Sequence, residues 1–383
     1  MNASQYTLVI IGAGPTGLAL GLELKRLGIS SLILDRLEAG ANTSRAAAIH
    51  ARTLEVLEPS GATAELLKYG FTVDTFRIRD RNQLLASISF KNLKTKYPFV
   101  LTCPQDRTER ILFKKLQELG GTVHRPCEVI AIRPEKNGVE LEIRTKNELK
   151  TIHTQWLIGC DGMHSIIREQ ADIPYEGGDY QDNFVLADVE MDWPLDLKEA
   201  SLFFSKEGLL AVVPLPENQF RLIAAVDEDP SKPTLDDLVK LLDERGPAMK
   251  GIAIRHLLWS SRFRIHHRIA KTLRRGRILI AGDAAHVHSP AGGQGMNIGI
   301  QDAISLASAL NEMLKNGSEV PLDVWEKNRQ QIARSVVKLT DQMMRVATLE
   351  SPFAKRVRNT LIRLIGKIPS ARFALAKKLS QLY

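Results

Sequence analysis

Two carboxylates, Asp35 and Asp283, and the glycines around them carry most of the chemistry readable in this chain. Residues 277–299 run RILIAGDAAHVHSPAGGQGMNIG. An apolar strand at 278–281 ends in Gly282-Asp283, and a glycine-rich loop then enters a helix of apolar periodicity. An acid at the end of a strand accepts hydrogen bonds from sugar hydroxyls. Gly292, Gly293 and Gly295 let the backbone approach a flat ligand closely. The helix start offers unpaired N–H groups to an electron-rich edge. That order of groups suits a ribityl chain followed by an isoalloxazine ring. Near the N-terminus, Gly12-Ala13-Gly14-Pro15-Thr16-Gly17 follows an apolar strand at 6–11 and opens a helix predicted over 15–28. A second strand at 31–35 ends in Asp35, which completes a βαβ unit with a dinucleotide fingerprint in its required context. The glycines make room for a pyrophosphate, the helix N-terminus favours its charge, and Asp35 takes ribose hydroxyls. Hydrogen bonds to an ionised group are each worth about 1.5–3 kcal/mol.

Other segments must position these groups. A helical stretch is predicted over 43–61, with Arg45 near its start in reach of a phosphate and Arg52 as a solvated surface charge. Gln105 and Arg107 open a predicted helix over 106–119, either reaching into the crevice or capping the helix. Residues 127–154 alternate as a three-stranded antiparallel meander, and 156–160 return to the parallel sheet. Asp161-Gly162 ends that strand, and His164, Ser165 and Arg168 begin a helix. From 175 to 267 the pattern is strands with one helix, at 235–244. This reads as an inserted, mostly antiparallel sheet forming a wall opposite the flat ligand, where a substrate lies. Tyr175, Phe203, Phe204 and Arg221 are its substrate candidates, although aromatics at strand spacing also form cores. Long helices are predicted over 297–315 and 321–348. The expected fold is α/β: a Rossmann-like cofactor domain at 1–174 and 268–350, the sheet domain at 175–267, and C-terminal helices at 351–383.

The 383 residues, 44% hydrophobic and 25% charged, fit a globular chain of two lobes sharing one crevice. Three cysteines without metal spacing point to a reducing compartment, hence a cytoplasmic location. No apolar run is long enough for a signal peptide or a membrane span. The net charge of +8 is confined to the end, because residues 351–383 hold eight basic and no acidic side chains. The other 350 residues balance at 44 of each sign, which argues against nucleic acid as a partner. The tail carries two amphipathic patterns, Val357, Leu361, Leu364, Ile365 and then Phe373, Ala376, Leu379, Leu382, with Ser370 as N-cap of the second. Either these helices dock on the body with solvated basic faces, or they attach to an anionic membrane surface.

The motifs GAGPTG at Gly12, Cys160-Asp161-Gly162 and Gly282-Asp283 resemble, in order and spacing, the single-component FAD-dependent monooxygenases. This is the aromatic hydroxylase superfamily typified by para-hydroxybenzoate hydroxylase, and the likeness covers nearly the whole chain. SRAAAIHARTLEVLE and GDAAHVHSPAGGQGMN are similar to the phenol and polyketide hydroxylase branch. The resemblance implies that Gly12, Gly14, Pro15, Thr16, Gly17, Asp35 and Arg36 hold the ADP half of FAD. It places Arg45 and Gln105 against the cofactor, Gly282 and Asp283 at the ribityl chain, and Gly295, Met296 and Asn297 beneath the flavin pyrimidine. Pro290, Ala291, Gly292 and Gly293 would lie beside the ring where oxygen reacts. Asp161 belongs to a motif implicated in FAD and NADPH contacts, with His164 and Arg168 as nicotinamide-nucleotide candidates or, equally, a helix-start histidine and a surface arginine.

The implied reaction uses NADH or NADPH and O2 to hydroxylate an aromatic or polyketide-like small molecule through a flavin hydroperoxide. It needs no protein nucleophile and no metal, and the chain has no second GxGxxG for a separate NAD(P)H domain. Many members of that branch add a thioredoxin-like C-terminal domain, for which this chain leaves no room. Two other readings stand beside this one. The first is a membrane-peripheral hydroxylase or epoxidase of a lipophilic, quinone- or isoprenoid-like substrate; the second is a non-catalytic flavin-binding protein. A monomer or a homodimer is expected.

Overall fold

The computed structural model describes residues 4–40, 46–146, 148–226, 232–349 and 351–382. A parallel sheet forms from the most apolar runs. Its central strand is Ser4–Ile11, in which Leu8, Val9 and Ile10 are fully buried. Such an unalternating pattern marks a strand covered on both faces. Leu149–Gly159 and Leu32–Leu34 flank it in parallel, and Ile278–Ile280 and Val123–His124 extend the two sides. Helix α1 (Pro15–Arg26) lies on this sheet. Gly21 permits the approach, since a Cβ there would stand 2.3 Å from the Ile33 side chain.

The helix predicted from residue 43 starts late. Ala48–Ile49 is extended and pairs with Val100–Thr102, and among the described residues of that stretch the α-helix spans Ala51–Leu57 (α2), followed by a 3-10 turn at Glu58–Ser60. The side chain of Asn297 bonds the His50 N–H and the Ala48 carbonyl, which holds this backbone straight. Helices α3 (Ala62–Tyr69), α4 (Gln105–Glu118) and the short α5 (Ile166–Gln170) follow. The meander Cys127–Glu135, Gly138–Thr145 is completed by the first half of Leu149–Gly159. That strand then runs on without a break into the parallel sheet, where a separate strand was expected.

A second sheet of eight strands is built around two 18-residue strands, Tyr175–Asp192 and Ala253–Ala270, paired antiparallel. It recruits Thr75–Asp80 and Gln83–Ser89 from far upstream, the first pairing in parallel with Glu199–Ser205. The sheet therefore does not respect the expected boundary at residue 175. Its opposite edge is His286–Val287, part of the segment that follows Gly282-Asp283. The wall and the glycine loop are thus joined by backbone hydrogen bonds.

One face of the wall, with Val185, Ala187, Phe203, Leu210, Phe220 and Leu222, packs on Leu238 and Leu242 of α6 (Leu235–Arg245). The other face, with Phe184, Phe204 and Leu209, meets Ala291 of the glycine loop. Helix α7 (Gly295–Asn316) and the start of α8 (Val320–Ala347) return to the first lobe, while Met344 and Ala347 at the end of α8 pack on the Phe184, Phe204 and Leu209 face of the wall. They are followed by α9 (Pro352–Ile365) and α10 (Pro369–Leu379). Ile368, not Ser370, occupies the N-cap of α10, because Pro369 is set for the first helical position. Ala376 and Leu379 of α10 are buried against Val73, Ile88 and Phe90.

Candidate active site

The glycine motifs meet at distances that allow no side chain. Gly12 has φ +98°, and a Cβ on it would lie 2.3 Å from the Cys160 carbonyl oxygen. Thr16 on α1 sits against both Gly282 and Gly299, whose added Cβ atoms would fall 2.4 and 2.5 Å from its Oγ1. Three sequence-distant segments, at 12–17, 160–162 and 282–299, therefore wall one crevice. Gly14 differs from its neighbours, because no heavy atom lies within 4 Å of its would-be Cβ. It is also the N-cap of α1, whose first turn no side chain caps. Open space in front of uncapped helix N–H groups fits a diphosphate.

Asp35, 8% exposed, follows the strand Leu32–Leu34. Its Oδ2 accepts from the Ala13 N–H at 2.6 Å and its Oδ1 from the Leu37 N–H at 2.8 Å. It braces the glycine turn while each oxygen keeps a lone pair for a sugar hydroxyl. Arg36 beside it is exposed. Gln105 accepts from the Ala46 N–H at 3.2 Å and donates to Glu109 at 2.9 Å. Arg107 turns instead to Glu217 at 2.8 Å. Arg45 lies outside the described residues.

At the other end of the crevice, Gly282–Ala284 forms a 3-10 turn that leaves Asp283 exposed. Tyr175 is half-buried, and its hydroxyl donates to the Asp283 carbonyl at 2.9 Å. One expectation is corrected here: Arg168 is not a surface arginine. It is 4% exposed, donates to the Ala284 carbonyl at 3.1 Å and stacks 3.9 Å from the centre of the Tyr175 ring. A guanidinium buried on an aromatic face gains from the ring quadrupole, and together the two side chains brace the turn from behind.

Asp161 accepts from the Ser165 hydroxyl at 2.6 Å and the Ile167 N–H at 3.3 Å, and its burial pushes the carboxyl up. Its side chain organises the start of α5. His164 stays exposed at this turn.

The loop residues Pro290, Ala291, Gly292 and Gly293 form a tight turn, with the Gly293 N–H bonded to the Pro290 carbonyl at 2.9 Å. Gly292 and Gly293 both take positive φ, +76° and +64°. α7 then begins at Gly295 and Met296 with no side chain capping its first turn. Asn297 is fully buried, and its Nδ2 donates to Gly293 and Ala48 carbonyls, both at 2.8 Å. Its side chain fixes the loop, so only its backbone remains for a ligand.

Two histidines absent from the sequence-derived site stand beside this loop. His50, 2% exposed, lies 2.8 Å from the Gly292 carbonyl through Nε2. His288 bonds the Ser289 carbonyl through Nδ1, while its buried Nε2 has no partner among the described residues. That atom points at the start of α7, 3.9 Å from where a Gly295 Cβ would be. Burial pushes both imidazoles down to about 4, so they are neutral at physiological pH. Asp302, fully buried on α7, bonds His286 at 2.6 Å, Arg329 at 2.5 Å and the Gly282 N–H at 3.3 Å. Burial works against its charge, but Arg329 and His286 outweigh that and hold the carboxyl below its usual range. Its spacing was the available signal: an acid four residues after Ile298 on the apolar face of a helix.

On the wall, period-two alternation separates neighbouring candidates. Phe203 is fully buried on the α6 side, edge-on to Trp193 at 6.2 Å, and takes no part in the crevice. Phe204 is on the crevice side with Ala291, but only 4% exposed. Arg221, 2% exposed, is committed to a bidentate pair with Asp188 at 2.7 and 2.8 Å. A buried guanidinium cannot leave such a partner to bind a substrate.

The donor set fits FAD. Open space at Gly14, uncapped starts of α1 and α7, an exposed Asp283 and an unpartnered buried nitrogen aimed at the flat end occur in the order that the dinucleotide needs. Comparison with known proteins agrees. A family profile described as FAD binding domain matches residues 5–340. Pentachlorophenol 4-monooxygenase of Sphingobium chlorophenolicum is 32% identical over 355 residues, covering 89% of this chain and 65% of that protein. The 12-dehydrotetracycline 5-monooxygenase/anhydrotetracycline 6-monooxygenase of Streptomyces rimosus is 32% identical over 99% of this chain and 76% of its own length. The crystal structure of p-nitrophenol 4-monooxygenase from Pseudomonas putida superposes with a TM-score of 0.87 at 22% identity, over 98% of this chain and 99% of that one, a likeness of fold. Profile, relatives and crevice agree: the chain belongs to the FAD-binding-domain family of FAD-dependent monooxygenases.

Proposed function

We propose that this protein uses NAD(P)H and O2 to hydroxylate an aromatic or polyketide-like small molecule held between the glycine loop and the wall. The observation that carries the reading is that Ala291 of the loop packs in one apolar cluster with Phe184, Phe204 and Leu209, which brings an apolar wall face up to the loop. FAD, when bound, accepts hydride from the nicotinamide and activates O2. The chain itself supplies position, exclusion of water and a fixed electrostatic field. The uncapped N–H groups of α7 favour negative charge at the flat end of the crevice. His50 and His288, kept neutral by burial, add no charge of their own there. Of the two nicotinamide-nucleotide candidates His164 is the exposed one, which supports a nicotinamide contact near the turn at 161–165. Three buried, unpaired cysteines support a cytoplasmic location.

The test is a screen of phenols and polyketide aromatics for compounds that speed NADPH or NADH oxidation by the purified yellow protein. Product mass spectra should then show one added oxygen from 18O2. A flavin that stays oxidised with both nucleotides across the panel would favour a non-catalytic flavin-binding protein instead. One observation favours a lipophilic substrate as second reading: the crevice face of the wall carries Phe184, Phe204 and Leu209, and its arginine is paired.

A further inference from the structure

Helix α9 is packed the wrong way round for a surface helix. Its inward face is largely polar, with Ile362 as the apolar contact: Arg358 is 5% exposed, lies over the Phe204 ring at 4.3 Å and donates to the carbonyls of Val346 and Ala347, both at 3.3 Å. Asn359 bonds Asp80 at 2.9 Å, and Arg363 bonds Gln83 at 2.7 Å. Gly366 allows the close approach, since a Cβ on it would meet Ala86 at 2.8 Å. The outward face is the apolar one. Phe353 is 76% exposed, Val357 40%, Leu361 51%, Leu364 56% and Ile365 54%, and Ile368, just beyond the helix, is 49% exposed. The five helical positions draw one stripe along just over three turns, about 18 Å long at 1.5 Å per residue. Isolated exposed leucines need no explanation, but a contiguous stripe does.

We propose that this stripe docks α9 flat onto an anionic lipid surface. Charge selects that occupant. Residues 351–383 contain eight basic and no acidic side chains; Arg356 on α9 and Lys367 just after it are exposed, as are Lys377 and Lys378 on α10. A helix with large apolar side chains on the contact face and cations beside them sits at the headgroup boundary of acidic bilayers. A second copy of this chain is the weaker occupant. In a two-fold contact every basic residue would face the same tail of its partner with no acid to answer it. The inner side of α9 rests on Phe204, so docking brings the lipid surface within one helix diameter of the substrate wall. The proposal concerns attachment only and does not depend on the reaction catalysed.

Vesicle sedimentation of the full-length, FAD-loaded protein tests it, with phosphatidylcholine alone against phosphatidylcholine containing about one third phosphatidylserine. The wild type should pellet with the acidic vesicles and stay in solution with the neutral ones. Leu361→Glu with Leu364→Glu, and separately Arg356→Glu with Lys367→Glu, should each lower partitioning by about tenfold. All four side chains are solvent-facing, and retained flavin colour and an unchanged melting temperature report that the variants fold. Failure of the wild type to pellet with acidic vesicles overturns the proposal. Equal binding of wild type and either variant does so as well, as does equal binding to both vesicle types. A wild-type dimer in light scattering that Leu361→Glu/Leu364→Glu converts to monomer would assign the stripe to a second copy.

Discussion

At the scale of single residues, Asp283 and the buried histidines make separable predictions. The carboxylate of Asp283 is exposed, and the bond from Tyr175 goes to its backbone carbonyl. Asp283→Ala should therefore fold normally and lose hydrogen bonds to the ribityl chain. The expected cost is about 1.5–3 kcal/mol, roughly 10- to 100-fold in FAD dissociation constant. Fluorescence titration of the apoprotein checks it, and full cofactor occupancy in the variant would contradict the placement. His50 and His288 have folded values near 4, below the unfolded 6.5. The unfolded chain therefore takes up protons first as the pH falls. Their stabilising effect is complete above about pH 6.5 and is lost progressively towards pH 4, at about 1.4 kcal/mol per pH unit for each. Melting curves from pH 7 to 4 should show this fall, and it should flatten when both are replaced by Gln. A wild-type curve unchanged over that window would mean that the two rings are not buried as described.

At the scale of elements, what matters is how closely α1 and α7 approach the strands that end in Cys160 and Gly282. A Cβ on Gly17 would lie 1.9 Å from the Gly12 carbonyl oxygen, while one on Gly14 would meet nothing. Gly17→Ala should therefore lower stability by about 1–3 kcal/mol through overpacking. Gly14→Val should leave stability within about 1 kcal/mol and weaken FAD about tenfold by filling the cradle. Urea melts and FAD titration of both variants separate the two roles, and a Gly14→Val protein with normal affinity would move the diphosphate elsewhere. Asp302 ties α7 to α8 through Arg329 and to the turn at Gly282. Asp302→Ala strands a buried guanidinium, so a loss of about 3–5 kcal/mol is expected in urea denaturation. A loss under about 1 kcal/mol would show that water reaches Arg329.

At the scale of the molecule, the C-terminal residues are tied to the start of α7. Gln294, at the N-cap of α7, donates to the Leu379 carbonyl at 3.0 Å and accepts from Gln381 at 2.6 Å. Gln301 is bonded to Gln381 from the next turn. Deleting residues 369–383 should remove this latch together with the burial of Ala376 and Leu379, at a cost of about 2–5 kcal/mol. Slower FAD rebinding and a lower melting temperature are expected. A truncated protein with unchanged FAD retention would make the tail a passive cover. The wall is likewise a product of the whole chain, because its edge strands come from residues 75–89 and 286–287.

Residue order along the chain is enough to predict the parallel sheet, its βαβ unit and the glycine-bearing turns. Each depends on neighbours close along the chain: an apolar run with no alternation, and a backbone at Gly12, Gly292 or Gly293 that only glycine adopts readily. It also determined the family, since motif order survives without any knowledge of contacts. Which face of each amphipathic element looks inward is set by long-range packing. Phe203 and Phe204 are indistinguishable by composition, yet strand register sends one to α6 and the other to the crevice. Arg168 and Arg221 read as ligand contacts until Tyr175 and Asp188 are found to hold them. The stripe of α9 reads as a core face until Arg358 is found to have taken the inside. The physical reason is the same in each case: periodicity reveals that an element has two faces, whereas the partner that chooses between them lies far away in the chain.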